Sequence, residues 1–200
     1  MSAQISVIIV NYNAGALLRA CVESILNCPV AVQIVVVDNA SADGSLDGLQ
    51  AFSDVQVIKN SQNLGFASGC NTGLRVSTAP YVLFLNPDCS FKPGALTELT
   101  KVLDSNPRVG MVGGLLTNVD GSEQVGARRA VPTPWRSFVR AFGLVNLSAL
   151  WPRLFFDFNL HKQPMPAQPM EVEAISGACM MVKRAAMDDV GEWDEGYFLH

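Results

Sequence analysis

Residues 5–10 read ISVIIV, an apolar and mostly β-branched run with no polar alternation. A strand with one wet face alternates apolar and polar residues; an unbroken run suits a strand covered on both faces. The pattern returns at 32–37 (VQIVVV) and, shortened, at 55–59 (VQVIK) and 81–85 (YVLFL). Between these runs the spacing turns helical. Leu17, Leu18, Cys21 and Ile25 predict a helix over 14–27 packed on the sheet. A short helix is expected near 45–52, a glycine-punctuated helix within 65–77, and another from Pro93 to Asn106, with a further strand at 109–116. Strands and helices in this alternation predict βαβ units, hence an α/β fold with a mostly parallel, Rossmann-like central sheet and helices on both faces.

Beyond residue 116 the character changes. Asp120-Gly121 predicts a hairpin turn. Residues 127–170 give no regular pattern, 174–182 read as a strand with a glycine break, and 183–190 as a short helix. With 200 residues, 49% of them hydrophobic, the chain is long enough for one compact domain with a substantial core. Its net charge is -4 and no basic run exceeds Arg128-Arg129, so no nucleic-acid partner is expected. The five cysteines (Cys21, Cys28, Cys70, Cys89, Cys179) are scattered without a CxxC pair, which predicts reduced core thiols and a cytoplasmic location. The start, MSAQISVIIV, shows no signal-peptide pattern, and no run reaches the ~18 apolar residues of a spanning helix.

In parallel sheets ligands gather at the carboxyl ends of the strands. Polar residues of this chain cluster at those ends: Asn11–Asn13, Asp38–Asp43, Asn63, and Asn86–Asp88. A dinucleotide-binding turn would need G-x-G-x-x-G after the first strand, where this chain has N-Y-N-A-G-A. Asn11, Tyr12 and Asn13 suit either a base or sugar, through an aromatic face and amide edges, or an ordinary strand-to-helix turn. Asp38 is either an Asx-turn former or an acceptor for a pyrimidine imide N–H. The glycines of 63–74 allow close approach either to a ligand or to the sheet, and a helix N-terminus favours an anion. Asp88, held behind Pro87, is either a turn residue or a carboxylate ligand for a hard divalent cation that shares its shell with phosphate oxygens.

Taken in order, SVIIVNYN (6–13), VVDNASADGS (36–45), NLGFASGCNTGL (63–74), LFLNPD (83–88), SGACMMVKR (176–184) and GEWDEGYFLH (191–200) resemble glycosyltransferase family 2, in particular its bacterial rhamnosyltransferase-like branch. The resemblance implies a GT-A fold, a nucleotide-sugar donor, a divalent metal (Mg²⁺ or Mn²⁺) and inversion at the anomeric carbon. It makes residues 1–116 the nucleotide-sugar-binding half and 117–200 the acceptor-side half of one domain. Asn11, Tyr12 and Asn13 would lie beside the nucleoside, Asp38 on the base, and Asn39, Asn63, Gly65 and Asn71 around the ribose and diphosphate. Asn86-Pro87-Asp88 matches the family's D-x-D-like metal motif, with Asp88 the ligand and Asn86 in place of the first acid. Ser176-Gly177-Ala178 would approach the acceptor or the transferred sugar, and Arg128 and Arg129 are either diphosphate partners or solvated surface arginines.

The family pattern continues past D-E-x-F-F to an E-D pair whose acid is the general base. This chain stops at His200, so the base is expected beyond it, the C-terminal side is expected to be incomplete, and Asp194 is a weak substitute. The implied activity is transfer of a rhamnose-like or other hexose from a dTDP- or UDP-sugar to a glycan or lipid-linked acceptor, in surface polysaccharide or cell-wall synthesis. The alternative is a non-catalytic nucleotide-sugar-binding remnant. A nucleotidyltransferase would need a Gly-rich loop bearing Arg or Lys after the first strand, and none is present. The apolar and aromatic stretch 138–156 suits either a peripheral contact with the inner face of the plasma membrane, or an acceptor-side cover or homodimer contact.

Overall fold

In the computed structural model, residues 3–131, 133–144, 151 and 163–198 are described. The expected β-branched runs form the middle of a six-stranded sheet. β1 (Ile5–Asn11) and β2 (Val32–Asp38) lie side by side in parallel, flanked by β3 (Val55–Lys59) and β4 (Tyr81–Leu85), all running the same way. Every residue of β1 is buried, as a two-sided strand requires. Fully burying an Ile or Val such as Ile8 or Val36 contributes about 1.5–3 kcal/mol.

The far side of the sheet departs from a purely parallel plan. β8 (Cys179–Lys183) runs antiparallel between β4 and β5 (Met111–Gly113), giving the order β3-β2-β1-β4-β8-β5. The predicted strand at 174–182 is thus two strands. β7 (Ala174–Ile175) pairs with β6 (Arg128–Arg129) in a separate two-stranded sheet, and β8 begins after the Gly177 break. The predicted strand 109–116 shortens to β5, whose register with β8 ends at Gly113.

Helices cover the sheet. α1 (Ala16–Leu26) buries Leu18, Cys21, Val22 and Ile25, while Leu17, expected inside, is more than half exposed. The short helix predicted at 45–52 is only a 3₁₀ turn at Leu49–Ala51. Gly44 (φ 76°) and Gly48 (φ 81°) hold the chain in the left-handed region and leave no room for a regular helix. α2 (Phe66–Val76) packs on β1 through Gly69 and Gly73. A Cβ at Gly69 would sit 2.7 Å from Val10 Cγ1, and one at Gly73 would collide with Ile8 Cγ2. Those two glycines therefore serve helix-to-sheet packing. α3 (Ala95–Ser105) and α5 (Arg184–Val190) complete the cover.

The chain divides into two compact units, Met1–Gly113 with Gly177–His200, and Gly114–Ser176. Within the second, the Asp120-Gly121 turn is present: Thr117 bridges Glu123, and Gly121 has φ 84°. α4 (Pro134–Ala141) follows, its first turn capped by Thr133, whose Oγ1 accepts from the Arg136 N–H at 3.2 Å. Arg128 is not the solvated arginine expected. It is buried, donating to Glu123 at 2.8 and 2.6 Å, the arrangement that lets a guanidinium leave water. Of the stretch 138–156, residues 145–150 and 152–156 lie outside those described. Among the described residues no helix is long and apolar enough to cross a membrane, and none of the five cysteines is joined in a disulfide.

Candidate functional site

The carboxyl ends of β1 and β2 are tied together by side chains. Asn11, fully buried, directs Nδ2 to Asp38 Oδ1 (2.7 Å), Ser45 Oγ (2.8 Å) and Ser41 Oγ (3.0 Å). Two hydrogens serve three oxygens, while Asn11 Oδ1 is buried without a partner. The second oxygen of Asp38 accepts from the Ser41 N–H at 3.1 Å, so both ends of this carboxylate, 2% exposed, are engaged within the protein. Asn13 joins the same lattice. Its N–H donates to Ser41 Oγ and its Oδ1 accepts from the Ala42 N–H, both at 2.9 Å. Asp43 takes the N–H groups of Gly15 and Ser45, and the hydrogen bonds from Ser45, then Gly15, hold its carboxyl below the usual range. Two non-glycine residues, Asn13 (φ 52°) and Ala40 (φ 62°), stand in the left-handed region here, a cost accepted only where neighbours hold the backbone firmly.

The sequence singled out Asn11 and Asp38 but not Ser41 or Ser45, which complete the lattice. Their signal was the Asp-Asn-Ala-Ser-Ala-Asp-Gly-Ser run itself, whose residue types form side-chain-to-backbone turns. Asn39 is likewise engaged inside, with Nδ2 on the Gly65 carbonyl (3.0 Å) and Oδ1 accepting from Asn60 Nδ2 (2.8 Å). Asn63 Oδ1 accepts from the Gly65 N–H at 3.0 Å ahead of α2. Asn71 is 1% exposed and its amide bonds Trp193 and Glu195. The exposed members of the group are Tyr12, 52% exposed just past the end of β1, and Asn13.

β4 ends differently. Asn86 donates its N–H to the Ala178 carbonyl (2.9 Å), and its own carbonyl accepts from the Cys89 N–H (3.2 Å), closing a turn around Pro87 and Asp88. Ala178, expected near the acceptor, thus supports this turn, and Cys89 Sγ reaches the same carbonyl at 3.4 Å. Asp88 is exposed. Among the described residues its carboxylate has no salt bridge, and its one hydrogen-bond contact is the Cys89 thiol at 3.9 Å. Burial, followed by the Asp88 charge, pushes the Cys89 thiol up to about 12. Among the described residues no group of three or more His, Cys, Asp or Glu is placed to hold a metal ion. The donor set is one carboxylate, with the Asn86 carboxamide nearby in sequence. Hard oxygen donors of this kind fit Mg²⁺ or Mn²⁺ once phosphate oxygens complete the shell, and do not make a cage without them. Asp194, in turn, accepts from the Gly196 N–H with Oδ1 at 2.9 Å.

Comparison with known proteins gives the family and the fold. The family described as Glycosyl transferase family 2 matches residues 6–191. The N-acetylglucosaminyl-diphospho-decaprenol L-rhamnosyltransferase of Mycobacterium tuberculosis is 28% identical, over 100% of this chain and 68% of its own length. Among solved structures, the mannosyltransferase PcManGT from Pyrobaculum calidifontis, in complex with GDP-Man and Mn²⁺, superposes with a TM-score of 0.62 at 20% identity, covering 98% of this chain and 48% of its own. S. aureus TarS 1-349 gives 0.63 at 17% identity, covering 96% and 50%. At these identities the structures show the fold, GT-A, and this chain spans about half the length of both.

Proposed function

The chain belongs to glycosyltransferase family 2, and from that premise we propose that it is an inverting transferase acting on a nucleotide-sugar donor. The observation that carries the reading is Asp88, an exposed carboxylate in the turn that follows a central strand, with no ion-pair partner among the described residues. The proposed donor is a dTDP- or UDP-sugar carrying a rhamnose-like or other hexose. The rhamnosyltransferase relative, with a diphospho-decaprenol in its name, supports a glycan or lipid-linked acceptor and a role in surface polysaccharide or cell-wall synthesis.

In this reading the exposed Tyr12 ring lies along the nucleoside. Asn11, Asp38, Asn39 and Asn13 hold the strand ends on which the base and ribose rest, and Asn63 and Gly65 shape the adjoining turn. Asp88 and Asn86 would hold the divalent cation, which when bound would supply Lewis-acid stabilisation of charge on the departing diphosphate, worth several kcal/mol. The acceptor oxygen attacks the anomeric carbon from the opposite face, the bond to diphosphate breaks, and configuration inverts. A base removes the acceptor proton, a contribution of about 10²–10⁴ in rate.

A second reading, nucleotide-sugar binding without transfer, is favoured by Asp194, whose Oδ1 is occupied by its own turn. One experiment orders these readings. Titration with UDP- and dTDP-sugars in the presence of Mn²⁺ is expected to show binding, and no binding at millimolar nucleotide sinks both. Transfer to a lipid-linked or oligosaccharide acceptor then separates enzyme from binder. A cytoplasmic site at the inner membrane face is part of the proposal, supported by the exposed aromatic row Trp135, Phe138 and Phe142 of α4 and the residue after it. Failure to co-sediment with anionic vesicles removes that part.

A further inference from the structure

Much of the polar chemistry of α2 is turned toward the segment 192–198. Asn71 donates from Nδ2 to the Trp193 carbonyl (2.8 Å) and Glu195 Oε1 (2.9 Å), and its Oδ1 accepts from the Trp193 N–H (2.9 Å). One turn along, Arg75 forks onto Glu192 at 2.5 and 3.1 Å and reaches Glu195 at 3.2 Å. The Trp193 ring stands edge-on to Phe84 of β4, centroids 5.4 Å apart. Finally the Phe198 carbonyl accepts from the Phe66 N–H at 2.9 Å. These attachments make 192–198 a strap lying along α2.

The last attachment has a particular address. The Phe66 N–H and the Gly65 carbonyl belong to one peptide group, and that carbonyl accepts from Asn39 Nδ2 at 3.0 Å. A single planar peptide therefore donates to the strap and accepts from the donor-side strand end. It cannot tilt to follow one partner without straining its bond to the other. Nor is there slack at Gly65, where a Cβ would lie 2.5 Å from the Phe198 carbonyl oxygen. Behind Asn39 stand Asn60, on its Oδ1, and Asn11, whose carbonyl accepts the Asn39 N–H at 2.8 Å.

We propose that the strap and the donor-side rim are one coupled unit joined at the 65–66 peptide, with Asn71 the positioning residue that seats the strap and thereby sets the rim for the nucleotide. The proposal rests on the donor reading given above. Coupling of this kind is reciprocal: a nucleotide on the rim protects the strap, and a ligand that shifts the strap changes nucleotide affinity.

Hydrogen exchange on the nucleotide-free chain tests the coupling without relying on activity. In Asn71→Leu and in the milder Arg75→Ala, amides of 192–198 are expected to exchange faster. The amides of Asn39 and Asn60 and the 63–66 turn should accelerate with them, while those of α1 stay as in the wild type. Acceleration confined to 192–198, or spread evenly through α1 in both variants, overturns the proposal. With UDP and Mn²⁺ as the probe, Asn71→Leu and Gly65→Ala are expected to weaken binding about fivefold or more. Unchanged UDP affinity in both variants also overturns it. If the wild-type chain binds neither UDP nor dTDP, the donor reading fails by itself, and the exchange arm still decides whether strap and rim are joined.

Discussion

Asp38 and Asp88 stand at the ends of two strands that flank β1 on either side, and they do opposite things. Asp38 is 2% exposed and both oxygens are bonded, to Asn11 and to the Ser41 N–H. Asp88 is exposed and, among the described residues, meets only a thiol at 3.9 Å. A carboxylate whose lone pairs are already matched inside the protein is structural; one held in place with its lone pairs unclaimed is available to a ligand. The difference separates building the rim from using it, although the residue type is the same: Asp38 is the last residue of β2, while Asp88 stands three residues past the end of β4.

The largest effect should come from the available carboxylate. Asp88→Ala is expected to lower Mn²⁺-dependent nucleotide binding or transfer about 100-fold or more, the loss of an interaction worth several kcal/mol, with stability within about 0.5 kcal/mol of wild type. Calorimetry paired with thermal melting reads both. Next, Asp38→Ala leaves the Ser41 N–H without its side-chain acceptor and removes the charged partner of Asn11 Nδ2, a cost of about 1–3 kcal/mol in urea unfolding. The contrast collapses if Asp38→Ala melts like wild type yet no longer binds nucleotide. Ser45→Ala should cost less, about 0.5–1 kcal/mol, because Asn11 Nδ2 has two other oxygens for its two hydrogens. The smallest effect belongs to the strap. Asn71, then Arg75, hold the Glu195 carboxyl below the usual 4.5. A depressed carboxyl contributes stability that is fully present above that value and is lost as pH falls through its lower folded value. Exchange in 192–198, taken relative to the intrinsic rate of each amide at the same pH, should therefore rise below about pH 4.5 and be flat above it. A rise beginning near neutrality would point to another group.

Much of the donor-side sheet was legible because β1, β2 and β4 are buried on both faces and read as unbroken apolar runs, and because α1 keeps its inner face in phase. The strap and the antiparallel strand were less legible for a physical reason. β8 is a buried run like the others, and nothing in CMMVK records which way it points or that it enters between β4 and β5. The polar residues at the strand ends were singled out by type and place, but the bonds they make inside the protein were not legible. Asn71 and Asp38 look like ligands in a linear chain because the partners that engage them, Trp193, Glu195 and Ser41, are identified only by contact in three dimensions. Arg128 misled in the same way, since its partner Glu123 lies across a turn.

The late arrival of β8 matters for how the sheet is assembled during synthesis. Tyr81 pairs with Lys183, and among the described residues β5 has no neighbour in the sheet other than β8. As the chain emerges from the ribosome, β1 to β4 can gather early, but one flank of β4 stays an unpaired apolar edge until residues near 183 are out. Such an edge invites pairing with another nascent chain, and the long sequence separation makes its closure a slow step. The segment that completes the sheet is thus also the one that ends its exposure to aggregation.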